Sequence, residues 1–117
     1  MSSSRVVLDV DALLASVDGD CELLDELAAA FTAEVPRWIT ELRTALLRGD
    51  SQTVFQVAHG VSGSVGYFRA PSVRQRAVDL EGMGREGRLD GAAAAIDQLE
   101  ADLVDLGRLL GQAPWRR

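Results

Sequence analysis

The sequence has 117 residues but no lysine, one cysteine and one histidine. The lone Cys21 cannot close an internal disulfide, and we interpret it as a small buried apolar side chain. One histidine and one distant cysteine do not give the ligand spacing of a transition-metal site. No pattern typical of a nucleophile with its base and orienting acid accompanies the histidine. These absences argue against disulfide-stabilised, metal-dependent and serine- or cysteine-hydrolase classes.

The charge of the chain is unusual in two respects: all twelve basic residues are arginine, and the formal net charge is −6. An acidic chain has little general affinity for nucleic acid or anionic membranes, so its partners are expected to be proteins. The opening MSSSR lacks the apolar core of a secretion signal, and apolar runs such as AAAAI are far shorter than the roughly 20 residues that cross a bilayer. We therefore expect a cytoplasmic protein that does not enter a membrane.

Apolar residues recur at helical spacing along nearly the whole chain, and no long stretch alternates as a strand would. The clearest stripe runs from about Asp20 to about Arg48, and it consists of Leu24, Leu27, Phe31, Val35, Trp38, Leu42 and Ala45. One long helix is predicted there. Pro36 lies inside this helix and should bend it, with a complete break as the competing interpretation.

Four further helices are predicted. A short one begins at Asp9 or Asp11 and ends at Gly19. The next spans about residues 51–68, and the one after it begins near Pro71, whose ring suits a first helical turn. A last helix follows the loop EGRLDG, and its apolar stripe consists of Ile96, Leu99, Leu103, Leu106 and Leu110.

These helices predict an all-α fold. A hydrophobic content of 47% is enough for one core, so we expect a single domain over residues 1–117. Short connections favour antiparallel neighbours. The predicted architecture is an up-down-up-down four-helix bundle with the short N-terminal helix across one end, and it has no obvious need for a partner chain. A monomer is therefore expected.

The only histidine, His59, lies within the stretch VFQVAHGVSGSVGYF. At about 100° per residue, its side chain points roughly 140° away from the direction that the apolar residues share. Those residues are Val54, Val57, Ala58, Val61, Val65 and Phe68. Gly63 and Gly66 follow the histidine at i+4 and i+7 on the same outward face. The imidazole is therefore predicted to be open to solvent.

Glycine is frequent beside this histidine, although each interior glycine costs a helix about 1 kcal/mol relative to alanine. Without side chains at Gly63 and Gly66, another molecule can approach the ring, which indicates a docking surface. Phe55 and Gln56, one turn before the histidine, are further candidate docking residues. Two plainer interpretations stay open: a lone exposed histidine is usually an ordinary surface residue, and small residues often let helices pack closely. Phe55 could equally pack against the neighbouring helix.

The stretch AHGVSGSVGYFRAPSVRQRAVDLEGMGREG resembles the signature of histidine-containing phosphotransfer (HPt) domains. That signature reads A-H-x-L-K-G-S-x-x-x-x-G-A and continues into an apolar helix that ends in Leu-Glu and a basic residue. Its positions correspond here to Ala58, His59, Val61, Gly63, Ser64, Ala70, Leu80, Glu81 and Arg85. The resemblance extends back over the long helix with its internal proline. No segment remains for a kinase or receiver domain, so we expect either a free-standing HPt protein or an excised fragment of a longer chain.

Two positions depart from the signature. The lysine that usually follows the histidine by three residues is Ser62, and the glycine of the turn is Arg69. By analogy, the lysine neutralises the incoming phosphoryl group. The wheel places Ser62 about 60° to one side of His59 and one turn along, so we expect its hydroxyl to face that group.

The resemblance implies a phosphoryl carrier rather than an enzyme, with no kinase activity of its own. His59 would accept a phosphoryl group from a receiver-domain aspartate and pass it to another receiver. Ser62, Gly63 and Glu81 would support it, with Glu81 accepting a hydrogen bond from the other ring nitrogen. The expected partners are response-regulator receivers and a hybrid histidine kinase. No cofactor is expected on this chain, because the receiver would bring the Mg²⁺.

Two alternatives stay open. A degenerate HPt-fold adaptor would bind and inhibit a receiver or kinase without phosphotransfer, and the serine in place of lysine favours this version. A structural bundle with an irrelevant histidine is the third hypothesis.

Overall fold

The computed structural model describes residues 6–116, so the first five residues and the last residue of the predicted domain lie outside the described residues. Residues 6–116 form five α-helices and no strand. Their bounds are α1 Val10–Ser16, α2 Cys21–Leu47, α3 Ser51–Tyr67, α4 Pro71–Glu86 and α5 Ala92–Gly111. The predicted all-helical class is confirmed. None of these helices is both long and apolar enough to cross a membrane.

The helices begin and end where local chemistry directs. Asp9, Asp20 and Asp50 each accept a hydrogen bond from a backbone N–H in the first turn of α1, α2 and α3. Helix α1 ends at Ser16, three residues before the predicted Gly19, and the intervening residues form a turn. Helix α2 continues through Pro36, so the competing interpretation of a complete break is wrong.

The apolar stripes of α2 to α5 meet in one core. Fully buried members include Leu24 and Leu42 of α2, Val61 of α3, Leu80 of α4 and Leu103 of α5. Helix α3 packs most extensively against α4, and α2 against α5. The α3–α4 contact is the one that builds the surroundings of the histidine.

Candidate functional site

His59 lies in the middle of α3, and its side chain is 70% exposed. The residues of α3 that point inward are Val54, Ala58, Val61, Ser62 and Val65. The predicted exposure of the imidazole is therefore present in the structure, and it follows from the wheel because the core takes up the opposite side of α3.

Glu81 of α4 contacts the imidazole ring of His59. Its Oε2 atom lies 3.2 Å from Nδ1 of His59, and its side chain is only 11% exposed. A carboxylate only accepts hydrogen bonds, so the proton of a neutral imidazole resides on Nδ1 in this arrangement. Nε2 then carries the free lone pair, and the hydrogen bonds of residues 6–116 include none to Nε2. The pair thus presents an oriented nucleophilic nitrogen.

Ser62 does not point where the wheel predicts. The residue is only 5% exposed, and its hydroxyl donates a hydrogen bond of 2.8 Å to the carbonyl oxygen of His59. Its Oγ also lies 3.5 Å from Oε1 of Glu81, which is the outer limit for a hydrogen bond. The expectation that Ser62 faces an incoming phosphoryl group is therefore wrong, because α4 covers this side of α3.

A cation lies beside the ring nevertheless. Nη2 of Arg85 is 3.0 Å from Oε2 of Glu81, the same oxygen that contacts His59. The guanidinium carbon of Arg85 is 5.3 Å from the centre of the Phe55 ring, and that ring stacks on the imidazole with centroids 6.0 Å apart. Arg85 belongs to the resemblance, but sequence reasoning did not place it at the site.

Phe55 and Gln56 occupy the turn of α3 before the histidine. Phe55 is half-buried between the imidazole and Arg85, so packing against α4 accounts for much of its surface. Gln56 is exposed and, with Trp38, Val57 and Gly60, lines a shallow groove between α2 and α3. Phe55 therefore lies beside the imidazole, and of the two residues only Gln56 is exposed.

The glycines around the histidine differ in their surroundings. A Cβ at Gly60 or Gly63 would meet no atom within 4 Å, so close packing does not explain these two. A Cβ at Gly66 would lie 3.3 Å from Nε of Arg74. The surface of α3 is therefore bare at Gly60 and Gly63, and it is covered by an arginine at Gly66.

Close packing is instead achieved by Gly84, which sequence reasoning missed. A Cβ there would lie 2.5 Å from the backbone nitrogen of Phe55 and 2.8 Å from the carbonyl oxygen of Ser51. Both are backbone atoms and cannot move aside alone. This glycine lets α4 approach α3, and that approach brings Glu81 to His59. Its position one turn after Glu81 was the available signal.

Within residues 6–116, no group of three or more His, Cys, Asp or Glu side chains is arranged to hold a metal ion. The site comprises one exposed imidazole, one largely buried carboxylate and one arginine. Such a set can orient a nucleophilic nitrogen and place a positive charge beside it.

Comparisons with known proteins show the family and the fold. The family model of the Hpt domain matches residues 26–108, so the chain belongs to the Hpt family. The fold is similar to the crystal structure of histidine-containing phosphotransfer protein B (HptB) from Pseudomonas aeruginosa PAO1, with a TM-score of 0.80 and 29% sequence identity. That match covers 90% of this chain and 91% of the other. No curated protein matches this chain significantly.

Proposed function

We propose that this protein carries phosphoryl groups in two-component signalling, on Nε2 of His59. The observation that carries the proposal is the exposed imidazole whose Nδ1 contacts the largely buried Glu81 at 3.2 Å. Membership of the Hpt family and the likeness to a phosphotransfer protein support the same role. The partners would be receiver domains and a hybrid histidine kinase.

The transfer needs little from this chain beyond position and charge. Nε2 attacks the phosphorus of an aspartyl phosphate, a P–N bond forms, and the P–O bond breaks as the aspartate carboxylate leaves with the electron pair. The proton stays on Nδ1, where the carboxylate of Glu81 stabilises the positive ring. Arg85 supplies the cation that lysine supplies in the family signature. The second transfer reverses these bonds onto another aspartate, and Mg²⁺ on the receiver neutralises the phosphoryl oxygens.

The adaptor is the second candidate, and the specific observation for it is Ser62. Its hydroxyl bonds to the His59 carbonyl oxygen and contributes no positive charge. An adaptor would bind a receiver through the same surface and leave it phosphorylated.

An up-down-up-down bundle is the arrangement that the contact pairs favour. Gly84 meets Phe55, Glu81 meets His59 and Arg74 meets Gly66, so residue numbers fall along α4 as they rise along α3. Helices α2 and α5 show the same order, because Arg43 pairs with Asp97 and Thr32 meets Gly107. The fully buried Leu13 supports the packing of α1 against this bundle. A cytoplasmic location, a monomeric state and a single domain over residues 1–117 stay predictions.

A panel of phosphorylated receivers from the same genome would test the proposal. Rapid loss of phosphate from one receiver, with matching gain by this protein, is the expected result. Binding to a receiver without transfer would support the adaptor. Neither binding nor transfer across the panel would contradict both.

A further inference from the structure

Most arginines of the described chain are paired. Arg37, Arg43, Arg76, Arg85, Arg88, Arg108 and Arg116 each lie within 4.0 Å of a carboxylate. The remaining arginines within residues 6–116 are Arg48, Arg69 and Arg74, which form no such pair with another described residue. The chain has a net charge of −6, so an arginine without an acidic partner leaves a local positive charge on a chain that is acidic overall.

Two of these arginines line one groove. Arg69, in the turn between α3 and α4, and Arg74, in the first turns of α4, border it with Gly66, Ala70 and Pro71. Val7 and Asp9 close the other side, and Asp9 is occupied as the N-cap of α1 through a 3.0 Å bond from Ala12 N–H. We name Arg69 and Arg74 together the arginine edge.

Arg69 occupies its position at a conformational cost. Its φ is +56°, in the left-handed region that glycine enters most readily. Its side chain is exposed and forms no ion pair with the described residues that would offset this cost. Because Arg69 combines a costly backbone conformation with an exposed charge that has no partner among the described residues, a contact with another molecule would account for it.

The arginine edge lies within reach of a partner centred on His59. Arg74 covers Gly66, which is seven residues from His59 on the same face and therefore about 10 Å along the helix. A standard interface buries about 800 Å² per partner, which corresponds to a radius of roughly 16 Å. A protein that docks on the imidazole over an area of this size would reach the arginine edge as well.

We infer that the arginine edge binds an acidic rim of the receiver domain and selects which receivers dock. The inference rests on the proposed function. A receiver that holds Mg²⁺ beside its aspartate does so with carboxylate ligands, so the surface around that aspartate carries negative charge, and the arginine edge would lie at the border of that surface. Complementary charges at the rim of an interface mainly raise the association rate and suppress wrong partners.

The test compares two sets of charge reversals. The double variant Arg69→Glu/Arg74→Glu reverses both charges of the arginine edge. Arg48→Glu is the matched single-site control, because Arg48 is also unpaired but lies in the α2–α3 groove with Thr44 and Thr53. A double control that also changes Arg43 would break the ion pairs of Arg43. The single variants Arg69→Glu and Arg74→Glu are therefore each compared with Arg48→Glu.

Binding and transfer with the receiver that reacts fastest are measured at several salt concentrations. We expect the double variant to weaken binding by about tenfold, mainly through slower association, and to flatten the salt dependence. Phosphorylation of His59 by phosphoramidate, a small donor that needs no docking, should be unchanged. Arg48→Glu should change binding by less than about twofold.

Two further variants separate charge from folding. Arg69→Gly removes the charge and relieves the left-handed backbone, so it should raise the melting temperature while it weakens receiver binding. Asp9→Asn keeps the helix cap and removes the opposing charge, so it should strengthen binding.

Equal effects of Arg48→Glu and the arginine-edge variants on receiver binding would overturn the inference and leave the proposed function standing. The inference would also be overturned if the double variant lost binding to anionic vesicles but still bound the receiver as well as the native protein does. If no receiver transfers phosphate to the native protein, the proposed function fails, and the inference fails with it.

Discussion

Nδ1 of the exposed His59 lies 3.2 Å from Oε2 of Glu81, a carboxylate that is only 11% exposed. The acceptor is held by packing, while the ring that it orients is open to solvent. Exposed side chains ordinarily sample several rotamers, and the buried acceptor restricts this one. The relationship therefore explains how a surface histidine keeps one nitrogen outward.

The first prediction concerns that hydrogen bond. Glu81→Ala should slow phosphoryl acceptance by about tenfold, because Nδ1 loses its acceptor. Glu81→Gln should slow it less, because the amide oxygen still accepts from Nδ1–H. Single-turnover transfer from a phosphorylated receiver would measure both rates. Equal losses in the two variants would show that charge, rather than orientation, is what Glu81 provides.

The second prediction concerns Arg85. Arg85→Ala should slow transfer or shorten the lifetime of the phosphohistidine by about tenfold or less, as about 1 kcal/mol of screened charge allows. Arg88→Ala is the control, because Arg88 lies on the surface just after the end of α4, 4.0 Å from Glu86. No difference between the Arg85 and Arg88 variants would contradict the role given to Arg85.

The third prediction concerns helix packing. Gly84→Ala should destabilise the protein by about 1–3 kcal/mol, since the new Cβ meets backbone atoms of α3 that cannot move aside. Gly82→Ala, in the same helix, meets no atom within 4 Å and should stabilise by up to about 1 kcal/mol. Urea unfolding of both variants would check this. A stable Gly84→Ala protein would contradict the close α3–α4 approach.

The fourth prediction concerns pH. Hydrogen bonds from Arg116 and then from the Trp115 indole lower the pKa of Asp25 below its usual 3.8. A carboxyl group with a lowered folded-state pKa stabilises the protein above its unfolded value and loses that contribution as the pH falls through the folded value.

Asp25→Asn should therefore be less stable than the native protein at neutral pH, with the difference narrowing below about pH 4. Cys21 and Glu22 also interact electrostatically with Arg116, but both residues are the same in the two proteins and so do not contribute to the difference in stability. Urea unfolding across this pH range would show the convergence. A difference that is the same at every pH would contradict the account.

The helices were predictable because their signals are local. Apolar spacing, aspartate caps and Pro71 act within a few residues, and the structure follows them closely. The direction of Ser62 was not predictable from a wheel. A wheel gives one core direction, whereas α3 packs against both α2 and α4, and the second neighbour covers Ser62.

Contacts between distant residues were also outside the reach of periodicity. The Trp115 indole donates a 2.9 Å hydrogen bond to Asp25, 90 residues earlier. The histidine was predictable as a candidate because it is the only one, and its neighbour Glu81 was suggested by resemblance alone. Arg85 could be assigned to the site only from the structure, in which it contacts the same carboxylate oxygen of Glu81 as His59 does.

The central claim is that His59 is the phosphoacceptor. The most direct measurement incubates the native protein and His59→Gln with the same phosphorylated receiver and locates acid-labile phosphate by mass spectrometry. The account predicts phosphate on His59 of the native protein and none on the variant, with equal melting temperatures, because an exposed side chain contributes little to stability. Phosphate on a folded His59→Gln protein, or on another residue of the native protein, would contradict it.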